Sequence, residues 1–284
     1  MTPRTRVVLL LGSAQTLAWG SSFYLPAVLA VPMARELGLG TPLIYAVFSM
    51  ALVVSALAGP MAGRLIDRHG GRPVLLGAGG LFVAGLLVLG TAQGLAGLLA
   101  AWVLLGLAMG AGLYDAAVAA LVRLYGKDAR PAISGITLIA GFASTVGWPL
   151  TALMEAQMGW RGACFGWAAL HVLVALPLNA RLPRLAWPAH TAADTPASVG
   201  AGPSAATATA EPPPLPPRHL APLMAAVFAL MSLVGTAVAT HLPTLLQASG
   251  ATLAAAVAAG ALVGPAQVAA RLLELGWLRR RSPL

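Results

Sequence analysis

With 284 residues that are 58% hydrophobic and only 9% charged, the chain lies far outside soluble composition, in which about a quarter of residues carry charge, and its solvent is read as lipid. The formal net charge of +9 does not point to nucleic acid, because the basic residues divide by side of a membrane instead of forming one patch. The single cysteine, Cys164, excludes an intrachain disulfide, and no Cys/His spacing fits a zinc or haem site, so neither cofactor nor metal is expected.

Apolar runs able to cross a hydrocarbon core of about 30 Å, which takes about 20 helical residues, fall at 7–33, 43–62, 74–92, 95–122, 131–153, 163–180, 220–247 and 252–275. They predict eight transmembrane helices and an all-α polytopic membrane protein. Membrane β-strands are about ten residues long and alternate in polarity, whereas these runs are longer and apolar on every face. In lipid a helix also satisfies its own backbone groups. The first run carries Pro26 and Pro32 near its far end and is too long for a secretory h-region, so it is read as a retained helix.

Between the second and third runs, Gly63-Arg64-Leu65-Ile66-Asp67-Arg68-His69-Gly70-Gly71-Arg72-Pro73 concentrates polarity in a short hinge. Gly63 is expected to let two helix ends approach, Gly70 and Gly71 to permit a tight reversal, and Pro73 to start the third helix. Arg64, Arg68 and Arg72 share a side with Arg4 and Arg6, with Arg123, Lys127 and Arg130, with Arg181, Arg184 and Arg218, and with Arg271 and Arg279 to Arg281. Of the 17 basic residues only Arg35 and Arg161 fall on the other side. This asymmetry places both termini and the long linker in the cytoplasm.

Asp115 is the one acid deep in an apolar run. An unpaired charge there costs about 2.5–3.5 kcal/mol on insertion scales. By helical rise it lies roughly 10 Å from the cytoplasmic end of the fourth helix, at the depth of the hinge. Three readings stay open: a pair with Arg68 or Arg72, a pair with Arg123 on its own helix, or a proton-coupling acid facing substrate. Gly106, Gly110 and Gly112 on the same helix, and Gly135, Gly141 and Gly147 on the fifth, have the spacing of close helix contacts.

Residues 183–219 hold nine of the 22 prolines, with Ala, Ser and Thr between them. Such a composition predicts a disordered cytoplasmic linker. It divides a six-helix bundle, 1–182, from a two-helix segment, 220–284. The two sides look related: Tyr24-Leu25-Pro26 matches His241-Leu242-Pro243, Gly59-Pro60 matches Gly264-Pro265, and Arg64-Leu65-Ile66-Asp67 matches Arg271-Leu272-Leu273-Glu274, in the same order. Helices 7 and 8 then repeat helices 1 and 2, as in a transporter of parallel halves. Arg271 and Glu274 are spaced to pair at i,i+3.

Gly63, Asp67, Arg68, Gly70 and Arg72, in that spacing between helices 2 and 3, resemble the loop motif of major facilitator superfamily transporters. Leu113-Tyr114-Asp115-Ala116-Ala117, Gly141-Phe142-Ala143-Ser144-Thr145 and Gly159-Trp160-Arg161 look like an uncharacterised bacterial branch of that superfamily, which implies a bacterial inner membrane. The resemblance implies a six-helix N-terminal bundle followed by the first two helices of a C-terminal bundle. It also implies that Asp67, Arg68 and Arg72, with Asp115 in their charge network, latch the two halves in one conformation. Gly147-Trp148-Pro149 resembles only part of the family's antiporter motif.

Polar or amphipathic residues at mid-membrane depth are the candidates for a substrate cavity: Gln15, Trp19, Tyr24, Tyr45, Ser144, Thr145, Thr240 and His241. Each is equally suited to a bond between helices, and His171 is read as a packed structural histidine. No His-x-x-x-His, Cys-His or clustered-carboxylate pattern points to an enzyme. The expected activity is transport of a small solute by alternating access, with a proton as an open coupling partner. The rival expectation is a C-terminally truncated, non-transporting fragment, because the family has two six-helix halves and helices 9 to 12 do not precede Leu284.

Overall fold

The computed structural model describes residues 2–183 and 220–276, and every regular element among them is helical. In chain order the helices are α1 (Pro3–Gly20), α2 (Pro26–Leu37), α3 (Thr41–His69), α4 (Gly71–Thr91), α5 (Leu95–Gly112), α6 (Tyr114–Tyr125), α7 (Arg130–Ala140), α8 (Ala143–Leu170), α9 (Leu176–Ala180), α10 (Leu220–Ala248), α11 (Leu253–Ala261) and α12 (Val263–Gly276). A short 3-10 turn, Gly126–Ala129, joins α6 to α7, and a π turn, His171–Ala175, joins α8 to α9. The linker at 183–219 and the last arginines lie outside the described residues apart from Pro183, as do the side chains of Arg271 and Glu274.

Several predicted spans are interrupted for local reasons. The first breaks between Gly20 and Pro26, where the Ser21 and Ser22 hydroxyls donate to the carbonyl of Ala18 at 3.2 and 2.6 Å. Side-chain bonds of this kind compete with the helical ladder, and Pro26 then opens α2 with its φ already set. The fourth breaks at Leu113, whose backbone is extended, directly after Gly112. The fifth and sixth share α8, divided at Gly159 by a left-handed φ of 71° that suits glycine.

The stretch Leu95–Ala180 is continuous enough to be followed as one helical path of 86 residues. At 1.5 Å per residue that is about 130 Å, several times a bilayer core. The 3-10 turn and the bend at Gly159 separate the predicted spans 95–122, 131–153 and 163–180, while the breaks at Leu113 and Gly141 fall within the first two of them. Pro3–Leu37, Thr41–His69, Gly71–Thr91 and Leu253–Ala270 are each long and apolar enough to cross a membrane.

One correction concerns the hinge. The helix that was expected to stop near residue 62 continues to His69, so Gly63 to His69 form the last turns of α3 and the reversal is confined to Gly70, at φ 85°. Helix α4 starts at Gly71, two residues before Pro73.

By Cα proximity the chain forms two units, Met1–Arg184 with Val238–Leu284, and Leu185–Ala237; of the latter only the start of α10 is described. The larger unit has two buried clusters. One joins α2 and the first half of α3 to α5 and α8 around Trp102, Trp148 and Trp167. The other joins Val7 and Leu11 of α1 to Ile66, Leu75, Leu121, Ala132 and Leu182, and so gathers the ends of α1, α3, α4, α6 and α7.

Small residues set the helix spacing. A Cβ at Gly106 would strike the Ala51 carbonyl and Val54, and one at Gly110 the Ser55 carbonyl and Ala58, so α3 and α5 touch backbone to backbone. Gly20 meets Gly147 in the same way. Outward faces stay apolar: Leu57 is 75% and Leu173 72% exposed, as suits a lipid solvent.

Candidate functional site

The face of α3 made by Leu52, Ser55, Ala56, Gly59, Pro60 and Gly63 borders a cavity of about 690 Å³. Its other walls are Trp19 of α1, Phe23 of the α1–α2 break, and α5 and α6 from Met109 to Ala119. The break at Leu113 decides what enters it. By restarting the helix at Tyr114, the chain sets Tyr114 and Asp115 in the first turn of α6, on the cavity wall. Asp115 is exposed there, and a helix N-terminus favours a carboxylate. Tyr114 is held by a 2.8 Å bond between its hydroxyl and Thr137 Oγ1, which itself donates to the Ile133 carbonyl.

Of the eight cavity candidates, Trp19 alone lines this space. Its ring packs edge-on to Phe23 at 5.0 Å. Gln15 is buried and donates through Nε2 to the carbonyl of Gly112 at 2.7 Å, so it secures the end of α5 just before the break. Tyr24 packs edge-on against Trp148. Tyr45 meets the His241 ring at 4.4 Å and the Thr244 hydroxyl at 3.5 Å. Thr145 donates to the Ala261 carbonyl at 2.7 Å, and Ser144 and Thr240 are buried. Gln15, Tyr24, Tyr45, Thr145 and His241 thus make contacts between helices, whereas the buried hydroxyls of Ser144 and Thr240 meet no hydrogen-bond partner among the described residues.

The motif residues separate into two groups. Arg64, Asp67 and Arg68 are exposed on the last turns of α3, and Arg72 is half-buried at the start of α4. The ion pair expected between Asp115 and Arg68 or Arg72 is not formed in this conformation: the one ion pair among the described residues lies elsewhere. The pair with Arg123 is not formed either. Asp115 faces the cavity while the arginines sit at the helix end, which accounts for their separation. Gly63 is corrected as well. No heavy atom comes within 4 Å of a Cβ built there, so it borders open space and the close approach belongs to Gly71, which abuts Ala120 of α6.

The model of the Major Facilitator Superfamily matches residues 11–284. The chain belongs to this superfamily. Among curated proteins it is similar to "Monocarboxylate transporter 3" of Rattus norvegicus, at 33% identity over 142 residues, or 48% of this chain. The match spans 28% of that relative's length.

Two polar arrangements of this superfamily member lie away from the cavity and the motif. At the end opposite the motif, Glu36 accepts from Trp160 Nε1 at 2.6 Å and from Arg161 Nε at 2.7 Å. Arg161 Nη1 also donates to the Gly90 carbonyl at 2.9 Å, and its guanidinium lies over the Trp160 ring at 4.3 Å. The signal was present: Arg161 is one of two basic residues on the minority side. The other arrangement is buried, with His171 Nε2 and Ser21 Oγ 2.7 Å apart and the imidazole stacked on Phe82 at 5.0 Å. It ties the π turn to the α1–α2 break, in keeping with a packed structural histidine.

Proposed function

We propose that this superfamily member moves a small solute across a membrane by alternating access, using the space between α1, α3, α5 and α6 as part of the solute path. The observation that carries this reading is the cavity itself. Its volume of about 690 Å³ falls within the roughly 300–1,000 Å³ typical of small-molecule sites. Its walls meet at helix breaks, where a transporter is able to change shape. The similarity to a protein named a monocarboxylate transporter makes small monocarboxylates one class to test. A catalytic role has no support from the family or from the residues.

The finer reading has three parts. The chain lies in a bacterial inner membrane with Arg4, the α3–α4 turn and Lys127 on the cytoplasmic side, following the basic bias. Residues 1–182 act as one six-helix bundle, 183–219 as its linker, and 220–284 as the start of a second bundle. Asp67, Arg68 and Arg72, with Gly63 and Gly70, serve as a conformational latch, since their exposed charges stand ready for a partner on a second bundle.

A substrate-independent experiment tests the central claim. Ser55→Cys introduces a reporter thiol on the cavity wall, and the native Cys164 is fully buried and silent. A membrane-impermeant maleimide should label Ser55→Cys in both right-side-out and inside-out vesicles. Labelling confined to one orientation, whatever the driving gradient, would sink the alternating-access reading.

A further inference from the structure

The cavity has an unequal lining. Among the described residues that line it, fifteen in number, Asp115 is the only charged side chain and Lys, Arg and His are absent. Asp115 is exposed to that space and makes no ion pair with another described residue. It stands in the first turn of α6, beside the partial positive charge of a helix N-terminus. A negative charge inside an apolar bundle calls for a counter-ion. The lining supplies none.

The remaining walls suit a cation. Trp19, Phe23 and Tyr114 contribute three aromatic rings, whose faces attract positive charge. The Tyr114 hydroxyl is already engaged by Thr137, which leaves that ring to act as a surface and not as a donor. Pro60 has no N–H to offer the carbonyl of Ala56 four residues earlier, and both residues line the cavity. That carbonyl therefore lacks its usual helical donor. An anion would meet a carboxylate of its own sign and no cationic side chain.

We propose that the cavity binds a monovalent organic cation with an apolar body, with Asp115 as its counter-ion and Trp19, Phe23 and Tyr114 as its aromatic walls. This inference rests on the reading of the cavity as the solute site. At about 690 Å³ there is room for a substituted ammonium or phosphonium ion.

The test uses the full chain in lipid nanodiscs with tritiated tetraphenylphosphonium and tetraethylammonium as probes, read by scintillation proximity. At least one probe should bind saturably, Asp115→Asn should weaken that binding tenfold or more, and Asp115→Glu should retain most of it. Benzoate, an aromatic monocarboxylate, should not displace the probe. Circular dichroism and gel filtration establish that each variant is folded. Saturable benzoate binding, probe binding unchanged by Asp115→Asn, or no saturable binding of either cation by the folded protein would overturn the proposal. The vesicle labelling of Ser55→Cys separates the two ideas. Cation binding with one-sided labelling keeps this site and removes transport, while two-sided labelling with benzoate binding does the reverse.

Discussion

Where α3 turns into α4, Arg64, Arg68 and Arg72 crowd around Asp67 and form no ion pair among the described residues. At the opposite end, where α2 finishes and α8 bends, Arg161 spends its guanidinium on Glu36, on the Gly90 carbonyl and on the Trp160 face. Two kinds of charge are at work. Charge at the motif end is repeated and mostly exposed, with no ion pair among the described residues. Charge at the other end is sparse and positioned, and it joins α2, α4 and α8 across a kink. Function at the motif end is then free to depend on conformation, whereas the other end acts as a fixed clasp.

The largest effect is expected where backbones touch at the motif end. Gly71→Leu places a side chain into Ala120 of α6, and overpacking of this kind costs about 1–3 kcal/mol. The thermal unfolding midpoint of the purified protein should fall clearly, while Gly63→Ala, which meets only open space inside α3, should leave it unchanged or raise it slightly. Equal effects of the two substitutions would mean that the motif's glycines are not divided as described. At the clasp end the matching lesion is Gly159→Ala. A left-handed residue other than glycine costs about 1–2 kcal/mol, and the φ of 71° at Gly159 exposes that cost with no neighbouring atom to confound it. An unchanged midpoint would show that α8 does not need this bend.

How far the sequence disclosed these features follows from what each depends on. Helical class was legible because lipid imposes long apolar runs, and the close contacts at Gly106 and Gly110 followed from spacing alone. Helix ends were less legible. Arg64 to His69 look like a hinge by polarity, yet nothing in them stops a helix, and α3 runs on until Gly70 adopts a positive φ. The cavity was the least legible, because polarity identified residues such as Gln15 and Thr145 whose hydrogen bonds are spent on neighbouring carbonyls. The lining is mostly apolar, and Asp115 reaches it only because the helix breaks at Leu113, a three-dimensional event with no strong local signature beyond Gly110 and Gly112.

Two arginine substitutions separate the two ends directly. Arg161→Ala removes three contacts at once and leaves Glu36 with only its Trp160 bond, so the midpoint should drop by a few degrees. Arg68→Ala removes a solvated charge that touches no acid in this conformation, and the midpoint should not move. If the two fall together, charge at both ends is structural and the distinction fails.

The smallest expected effect is the most diagnostic. Arg161→Lys keeps the positive charge and the attraction to Glu36, but an ammonium lacks the planar fork that lets one side chain reach a carboxylate and a carbonyl on different helices. Its midpoint should lie between those of the parent and Arg161→Ala, and the remaining gap to Arg161→Ala should narrow in high salt because only the charge term is screened. The gap between Arg161→Lys and the parent should persist in salt, since it reflects the lost bond to Gly90. A lysine variant as stable as the parent would reduce the clasp to simple charge pairing, and the two ends of the molecule would then differ in the number of their charges and not in how they are used.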